Sequence, residues 1–482
     1  MTRRDTIYRQ VPGNHRRIDA PSKSVKLHAA TALMRDGWAD DVLLEVDGIG
    51  FISAVTAGIS DPPEDAERLS GPAIPGMPNV HSHAFQRAMA GLTEARGPSE
   101  DSFWTWRQRM YAFVERIDPE QTQNIAAQLY VEMLQAGYTT VGEFHYLHHQ
   151  ADGNPYDTVT EMSDRIIAAA RQAGIAITHL PVLYACSGFG GVAPEIGQRR
   201  FLNDSDSFAG LVEDLVNKYR GDPLVRIGIA PHSLRAVTRE QLLHATDAIS
   251  RHDFAAPIHL HIAEQTREVE ECIAWSGQRP VEWLLNSIDV DQRWCLIHAT
   301  YANGAERERL AAGDAVVGIC PTTEANLGDG IFPATEYLAG GGHIGIGSDS
   351  NVSVSAIEEL RLLEYGQRLS HRRRALLANA DSPSVGRYLY DAAIDGGARA
   401  LAQPIGGLEV GRRADVVVLD GETPALVHKT GDAILDSLVF AANHRSIKDV
   451  MVAGRWHVRD GRHQQQEAIF ERFKTTLASL LA

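Results

Sequence analysis

The sequence predicts an α/β fold, built around a closed (β/α)8 barrel of the TIM type, with a smaller β-sandwich domain formed from both chain termini. Three observations lead to it. Between residues 73 and 348, short apolar runs alternate with longer amphipathic segments, as they do in repeated βα units. The short runs number eight, which is the count that a closed barrel needs. Both ends of the chain lack this alternation.

The predicted barrel strands are short, apolar and rich in β-branched residues. They cover residues 73–80, 138–143, 176–184, 224–230, 257–261, 294–298, 315–320 and 343–348. Several segments between them place apolar residues at helical spacing and end near a glycine, as helices often do. These predicted helices cover residues 121–136, 159–173, 208–219 and 240–251. We therefore predict a barrel domain over residues 71–403.

The two ends of the chain predict one small β domain. Residues 42–46 and 50–54 are strand-like in the first part, as are residues 415–420 and 450–455 in the second. We assign residues 1–70 and 404–482 to this domain, with a final helix in the second part. Neither end supplies a cluster of catalytic side chains, so we expect its role to be structural.

Composition and charge restrict the class of protein. Hydrophobic residues make up 44% of the chain and charged residues 22%, which is ordinary for a globular protein with a large core. The net charge of −16 argues against nucleic acid or a membrane surface as partner, because both favour basic proteins. Four scattered cysteines without a CxxC pair favour reduced thiols. Without an apolar leader in residues 1–8 or a long apolar run, the expected location is the cytoplasm.

Four predicted strands deliver metal-binding or proton-transferring side chains at their carboxyl ends. His81 and His83 end the first strand, His261 the fifth, His298 the sixth, and Asp349 follows the eighth. In barrels of this kind, that face holds the active site. Imidazoles and a carboxylate suit zinc or ferrous iron. The predicted ligands of one divalent metal, with Zn2+ as first choice, are His81, His83, His261 and Asp349.

Glu264 lies three residues beyond His261, so its carboxylate can reach the metal ligand once the chain turns off the strand. A carboxylate there could take a proton from water and pass it to a leaving nitrogen. The alternative is an exposed glutamate at a helix start, which the helix dipole favours. His259 lies one layer deeper than His261 on the same side of the strand, and we assign it to the core or to a supporting position. Cys186, which follows the third strand, faces either the core or the site.

These side chains together resemble the metal and proton-transfer set of the amidohydrolase superfamily, in its deaminase branch. Longer runs carry a narrower resemblance, to the formimidoylglutamate deiminases of bacterial histidine breakdown. The runs are residues 78–91 (PNVHSHAFQRAMAG), 103–107 (FWTWR), 143–149 (EFHYLHH) and 230–235 (APHSLR). Residues 406–415 (GGLEVGRRAD) resemble part of the small β domain of such enzymes. Residues 226–235 lack the lysine that would bridge two metals, so a single metal is expected.

The resemblance implies a hydrolase that acts on the C–N bond of a linear amidine. Its substrate would be N-formimidoyl-L-glutamate, and its products N-formyl-L-glutamate and ammonia. Metal-bound hydroxide would attack the amidine carbon, with Glu264 as proton shuttle, His298 beside the developing charge and Asp349 orienting the water. The resemblance assigns substrate binding to Gln86, Arg107, Tyr146, His232 and Arg235. The arginines suit a small anionic substrate, because a guanidinium binds a carboxylate bidentately. A homodimer is also implied.

Two other functions stay open. A deaminase of a ring amidine such as guanine would use the same metal set. The two arginines disfavour a flat, uncharged base, whereas Trp104 and Trp106 keep that alternative open. The second alternative is a binding or assembly protein that kept the barrel and lost the chemistry. That alternative predicts substitutions among the metal ligands, and the sequence contains none.

Overall fold

The computed structural model describes residues 24–95 and 103–482. Residues 1–23 lie outside the described residues, and with them the prediction about an apolar leader in residues 1–8 and the beginning of the predicted small domain. The strands are β1 (Val25–Met34), β2 (Gly37–Val46), β3 (Ile52–Thr56), β4 (Glu67–Arg68), β5 (Ala73–Pro75), β6 (Met77–Ser82), β7 (Tyr138–His145), β8 (Ala176–Leu183), β9 (Val225–Ile227), β10 (Ala230–Pro231), β11 (Ile258–Ile262), β12 (Trp294–His298), β13 (Val316–Ile319), β14 (His343–Ile346), β15 (Val416–Leu419), β16 (Ile447–Val452), β17 (Arg455–Arg459) and β18 (Arg462–His463).

The helices of the described residues lie mostly between the barrel strands. They are α1 (Phe103–Val114), α2 (Pro119–Gln135), α3 (Glu161–Ala173), α4 (Ser205–Tyr219), α5 (Arg239–Ser250), α6 (Thr266–Ser276), α7 (Pro280–Ser287), α8 (Gly304–Ala312), α9 (Pro321–Leu327), α10 (Ala334–Ala339), α11 (Ala356–His371), α12 (Val385–Leu401), α13 (Ala433–Phe440) and α14 (Gln466–Leu481). The four predicted helices correspond to α2 through α5, with ends shifted by up to three residues. None of the helices in the described ranges has the length and apolar character that a membrane span requires.

Local sequence signals explain where these helices begin and end. Asp118 caps α2 by accepting a hydrogen bond from the backbone of Gln121, whose side chain reaches back to the cap. Thr238 and Gln241 form the same reciprocal cap on α5. Such caps satisfy backbone N–H groups that have no partner within the helix. α3 ends at Gly174, whose φ of 84° is a left-handed conformation that glycine adopts without strain.

Parallel strands close into the predicted barrel. β6, β7, β8 and the pair β9/β10 form one sheet, and β11 to β14 form another. Single bridges join these sheets, between Ser82 and Asp349 on one side and between Ile229 and Ile258 on the other. The prediction of an α/β barrel with a smaller β unit from the termini is confirmed.

Two of the predicted strands are interrupted, which corrects the prediction of continuous runs. Residues 73–80 divide at Gly76 into β5, which pairs with β15, and β6, which enters the barrel. A Cβ on Gly76 would lie 2.3 Å from the side chain of Thr139, so only glycine fits this crossing. Residues 224–230 divide around Gly228, where a Cβ would lie 2.5 Å from the carbonyl oxygen of Pro257. Close backbone contacts of this kind leave no pattern of apolar residues in the sequence, so the sequence did not predict these interruptions.

Strands from both termini form one continuous sheet in the order β18-β17-β16-β15-β5-β1-β2-β3, with β4 beside β1. It encloses a core of its own, in which Leu27, Leu44 and Val416 are fully buried. The division at residues 70 and 404 stays a prediction, and β5 belongs to this sheet although it follows residue 70. The final helix α14 packs against α2 of the barrel, where Asn124 donates a hydrogen bond to Thr476.

Arg413 joins the terminal sheet to the lower end of the barrel. Its fully buried guanidinium donates to both carboxylate oxygens of Asp415, at 3.0 and 2.7 Å, and to Gln403 at 2.8 Å. It also donates to Thr140 on β7. A buried ion pair is stabilising only while both charges are present, because removal of one leaves the other desolvated and unpaired.

We predict that Arg413→Leu lowers the free energy of unfolding by about 3–5 kcal/mol, since it leaves the Asp415 carboxylate buried and unpaired. The measurement is the midpoint of urea denaturation, followed by circular dichroism. Arg459→Leu is the matched control, because Arg459 and its partner Glu67 are both substantially exposed. Its expected effect is at most about 1 kcal/mol. Equal shifts in the two variants would contradict a special role for Arg413.

Candidate active site

The four predicted metal ligands converge at the carboxyl ends of the barrel strands. The Nε2 atoms of His81 and His261 lie 3.0 Å apart. Asp349 Oδ1 lies 3.5 Å from Nε2 of His81 and 3.3 Å from Nε2 of His83. Residues that are up to 268 positions apart in the chain thus meet because every strand ends at the same edge.

Backbone carbonyls fix the orientation of two of these imidazoles. Nδ1 of His83 donates to the carbonyl of Phe144 at 2.9 Å, and Nδ1 of His261 donates to the carbonyl of His232 at 3.0 Å. Since a carbonyl can only accept, the proton resides on Nδ1 and the lone pair on Nε2 points into the cluster. Burial lowers the pKa of His81, His83 and His261, which keeps the rings neutral and able to bind a metal.

This donor set fits a divalent cation. The lone pair of His261 Nε2 meets the ring nitrogen of His81 at 3.0 Å, a contact that requires a proton or a cation between them. The ligand atoms of His81, His83 and His261 all lie within 4.8 Å of one another, and each residue is buried. Imidazole nitrogens and a carboxylate oxygen are donors that catalytic zinc centres use, and such centres keep one position open for water.

Glu264 and His298 lie beside this cluster. Nε2 of His298 lies 3.7 Å from a carboxylate oxygen of Glu264 and 3.7 Å from one of Asp349, and its Nδ1 lies 3.2 Å from Glu324. Burial lowers the pKa of His298, but the three carboxylates outweigh burial and raise it to about 10. Burial raises the pKa of Glu264 to about 7, with His298 opposing the shift and Asp349 adding to it. A carboxyl group with a pKa near neutrality is suited to both accepting and returning a proton.

Three residues at the ends of barrel strands, or just beyond them, have strained backbone conformations at the site. Ala263, His298 and Asp349 have φ values of 50°, 69° and 46°, in the left-handed region that residues other than glycine rarely adopt. Such strain is concentrated at functional sites, where surrounding contacts maintain it. Glu268 on α6 provides such contacts, because its carboxylate accepts hydrogen bonds from the backbone N–H groups of Ala263 and Glu264 at 3.1 Å each.

A cavity opens above the cluster. Of the site residues that the sequence predicts, all but His81 line this cavity. They are His83, Gln86, Arg107, Tyr146, His232, Arg235, His261, Glu264, His298 and Asp349. His81 lies beneath the cavity. The lining includes Arg107 from α1 and Arg235 from the segment after β10.

The polar side chains of this cavity include a hydrogen-bonded pair and a buried cation. Gln86 donates to the Tyr146 hydroxyl at 2.9 Å. Arg235 is 6% exposed, and within the described ranges its Nε has no hydrogen-bond partner. Burial lowers the pKa of Arg235, but the carboxylates of Glu268 and Glu264 contribute to a net increase, so the group stays charged. A buried guanidinium with an unpaired donor is costly unless an anion completes its hydrogen bonds.

Sequence analysis missed several residues of the site. Tyr184, which ends the third predicted strand, and Tyr111 on α1 both line the cavity. Glu324, which hydrogen-bonds His298, lies four residues beyond the end of the seventh predicted strand. A search for polar side chains just after every predicted strand would have found Tyr184 and Glu324. No comparable signal marks Tyr111, because its helix lies in a connection between strands.

Two residues that the sequence left undecided lie outside the cavity. Nε2 of His259 lies 2.8 Å from the carbonyl oxygen of Ala400 near the end of α12, so this imidazole connects its strand to that helix. Cys186 is buried, and its thiol donates to Gln241 on α5 at 3.7 Å. Neither side chain is among those that line the cavity.

A family model described as the amidohydrolase family matches residues 73–457, which is most of the chain. The chain belongs to the amidohydrolase family. The amidohydrolase predicted from the strand-end residues is thereby confirmed.

Several relatives of this amidohydrolase are known. It is 53% identical to a formimidoylglutamate deiminase of Pseudomonas aeruginosa, over 94% of this chain and 99% of the relative. It is 28% identical to an 8-oxoguanine deaminase of the same species, over 85% and 87% of the two chains. Among solved structures, an amidohydrolase from Brucella melitensis is 50% identical, with a TM-score of 0.90 over 95% of this chain and all of that one.

A zinc-containing adenosine deaminase from Xanthomonas campestris also resembles this amidohydrolase, with a TM-score of 0.78 over 95% of this chain and 98% of that one. The two chains are 22% identical, so this likeness shows the common fold.

We predict that the amidohydrolase takes up about one Zn2+ per chain, and that His261→Asn lowers zinc affinity by at least about 100-fold, since loss of a direct ligand exceeds the effect of losing its supporting contacts. The measurement is metal content by mass spectrometry after dialysis against a zinc buffer. His371→Asn, at an exposed helix end, is the control and should keep its zinc. Equal zinc content in both variants would remove His261 from the ligand set.

Proposed function

We propose that this amidohydrolase is a formimidoylglutamate deiminase, which hydrolyses N-formimidoyl-L-glutamate to N-formyl-L-glutamate and ammonia. One observation carries the proposal: a cluster of metal-binding side chains and a carboxyl group with a pKa near 7 share one cavity with two arginines. The relative that is 53% identical over 94% of this chain supports the same substrate.

In this proposal, His81, His83, His261 and Asp349 hold one divalent metal, and Zn2+ is the ion that three imidazoles and a carboxylate favour. When bound, the metal supplies Lewis acidity, which lowers the pKa of a water molecule toward neutrality. The neutral imidazoles need lose no proton to bind it, since burial already lowers their pKa values.

Glu264 performs the proton transfers. Its carboxylate takes a proton from the attacking water as the new C–O bond forms at the formimidoyl carbon. It then returns that proton to the terminal nitrogen, which becomes an amine. The second proton of the water passes from the new hydroxyl group through Glu264 to the same nitrogen, so the C=O bond forms, the C–N bond breaks and ammonia leaves. His298, 3.7 Å from Glu264, stabilises the negative charge that develops between these steps. Asp349 orients the water by accepting a hydrogen bond from its second O–H group.

The other end of the cavity binds the glutamate part of the substrate. Arg107 and Arg235 bind its carboxylates, because a guanidinium offers paired donors in the geometry of a carboxylate. The unpartnered Nε of Arg235 supports this role. Gln86, Tyr146 and His232 complete the polar wall, and burial lowers the pKa of His232, so its ring is neutral and can donate or accept.

The proposal extends to the setting of the reaction. We infer that the enzyme acts in histidine degradation and as a homodimer, as the sequence resemblance implies, and that it works in the cytoplasm. Its partner is a small anionic amidine. The net charge of −16 supports the expectation that neither nucleic acid nor a membrane surface is a partner.

We predict that Glu264→Gln keeps its metal while kcat falls by at least about 100-fold, because the amide cannot accept a proton. The measurement combines steady-state ammonia release with metal content. Glu270→Gln on α6 is the control for loss of one carboxylate, since Glu270 is exposed and lines neither the inner cavity nor its surroundings. Near-normal turnover by Glu264→Gln would remove Glu264 from the mechanism.

We also predict that zinc-loaded protein releases ammonia from N-formimidoyl-L-glutamate and leaves guanine unchanged, because Arg107 and Arg235 require an anionic substrate. Ammonia release is measured for both compounds under the same conditions. Turnover of guanine alone would keep the metal chemistry and overturn the substrate. Turnover of neither compound by zinc-loaded protein would favour a binding protein.

A further inference from the structure

A second chamber lies outside the inner cavity and shares part of its wall. Arg107, Tyr111 and Arg235 line both spaces. Trp104 and Arg267 line the outer chamber without lining the inner one. A molecule in the outer chamber therefore meets the two proposed carboxylate-binding arginines from their other side.

Three guanidinium groups surround one indole in this chamber. The Trp104 ring centre lies 4.4 Å from the guanidinium carbon of Arg267, 5.3 Å from that of Arg107 and 5.5 Å from that of Arg235. The π face of an indole attracts each cation, but it carries no net charge and cannot neutralise them. Like charges that face one ring repel one another, and the carboxylates of Glu195 and Glu271 in the same chamber offset part of this repulsion. An anion that enters the chamber reduces it further.

Arg267 is the accessible member of the cluster. Its side chain is 59% exposed, and its Nε donates to Glu271 one helical turn along α6 at 2.6 Å. Exposed ion pairs of this kind are weak, because water screens them. An incoming carboxylate can therefore take the place of Glu271 on Arg267 at little cost, whereas Arg235 lies buried further along the same route.

The net charge of the whole protein gives a cluster of positive charge at the entrance a role in attracting an anionic substrate. A chain of net charge −16 repels a dianion at long range, and this repulsion slows the approach of an anionic substrate. Local positive charge at an entrance counteracts that repulsion and raises the association rate.

We propose that Arg267, seated on Trp104, is a specificity-determining residue that captures dicarboxylates in the outer chamber and passes them to Arg107 and Arg235. The proposal rests on the proposed function for its substrate. It assigns Arg267 a role in substrate recognition, at a place away from the reacting atoms.

The kinetic test compares Arg267→Gln with wild type on N-formimidoyl-L-glutamate and on N-formimidoylglycine, which carries one carboxylate. At low ionic strength we expect kcat/KM for the dicarboxylate to fall by on the order of threefold to tenfold, with the loss in KM. The monocarboxylate should lose less, and Arg267→Lys should recover most of the loss. In about 0.5 M salt the difference should vanish, because the Debye length is then only a few ångströms.

Arg373→Gln is the matched control, since it removes one exposed positive charge from the segment after α11. Equal losses in Arg373→Gln and Arg267→Gln would overturn the proposal, because the effect would then come from net charge alone. Equal losses on both substrates, or a loss that persists in high salt, would also overturn it.

A binding test separates this proposal from the proposed function. Glutarate and butyrate are titrated into zinc-loaded protein by calorimetry at low ionic strength. The proposal is supported if glutarate binds more tightly than butyrate, if Arg267→Gln weakens glutarate binding and if Glu271→Gln strengthens it. This result supports it even if N-formimidoyl-L-glutamate is not turned over. Glutarate binding that is the same in wild type and Arg267→Gln overturns it, whatever the substrate proves to be.

Discussion

The site depends on how the barrel closes between its first and last strands. The backbone of Asp349 exchanges hydrogen bonds with that of the first strand, through its N–H to the carbonyl of His81 at 2.9 Å and through its carbonyl to the N–H of His83 at 3.0 Å. Asn79 reinforces the closure by donating to the hydroxyl of Ser348 at 2.7 Å, and that hydroxyl donates to Asn351 at 2.6 Å. Because these groups are buried, each needs its partner, and the closure permits one register only.

This register places the metal-binding side chains. The bridge between Ser82 and Asp349 sets a carboxylate between two imidazoles that the first strand would otherwise present alone. A shift by one residue would turn His81 and His83 to the other face of the strand, because side chains alternate along it. The strained φ of 46° at Asp349 follows from the same constraint, since the chain must turn at once after it closes the barrel.

The sequence was sufficient to predict which side chains lie at the carboxyl ends of the barrel strands. His81, His83, His261, His298 and Asp349 were predicted from their positions after apolar runs, and the structure brings them together at one edge. The interruptions of the first and fourth strands were missed, because they depend on backbone contacts between segments distant in the chain. Arg107 was assigned by resemblance alone, since no local pattern tells where a helix in a connecting segment will lie.

Chemistry and substrate choice therefore reside on different parts of this chain. The strand ends carry the proposed metal ligands and the proposed proton shuttle, a set that would serve any amidine placed above it. The arginines proposed to select an anion come from α1 and from the segment after β10, and Arg267 comes from α6. Connections of this kind can change without disturbing the closure of the barrel, because their side chains form the walls of the cavity while the strands form its floor. The same fold can thus act on a neutral ring or on a dicarboxylate, according to which charges its connections bring to the entrance.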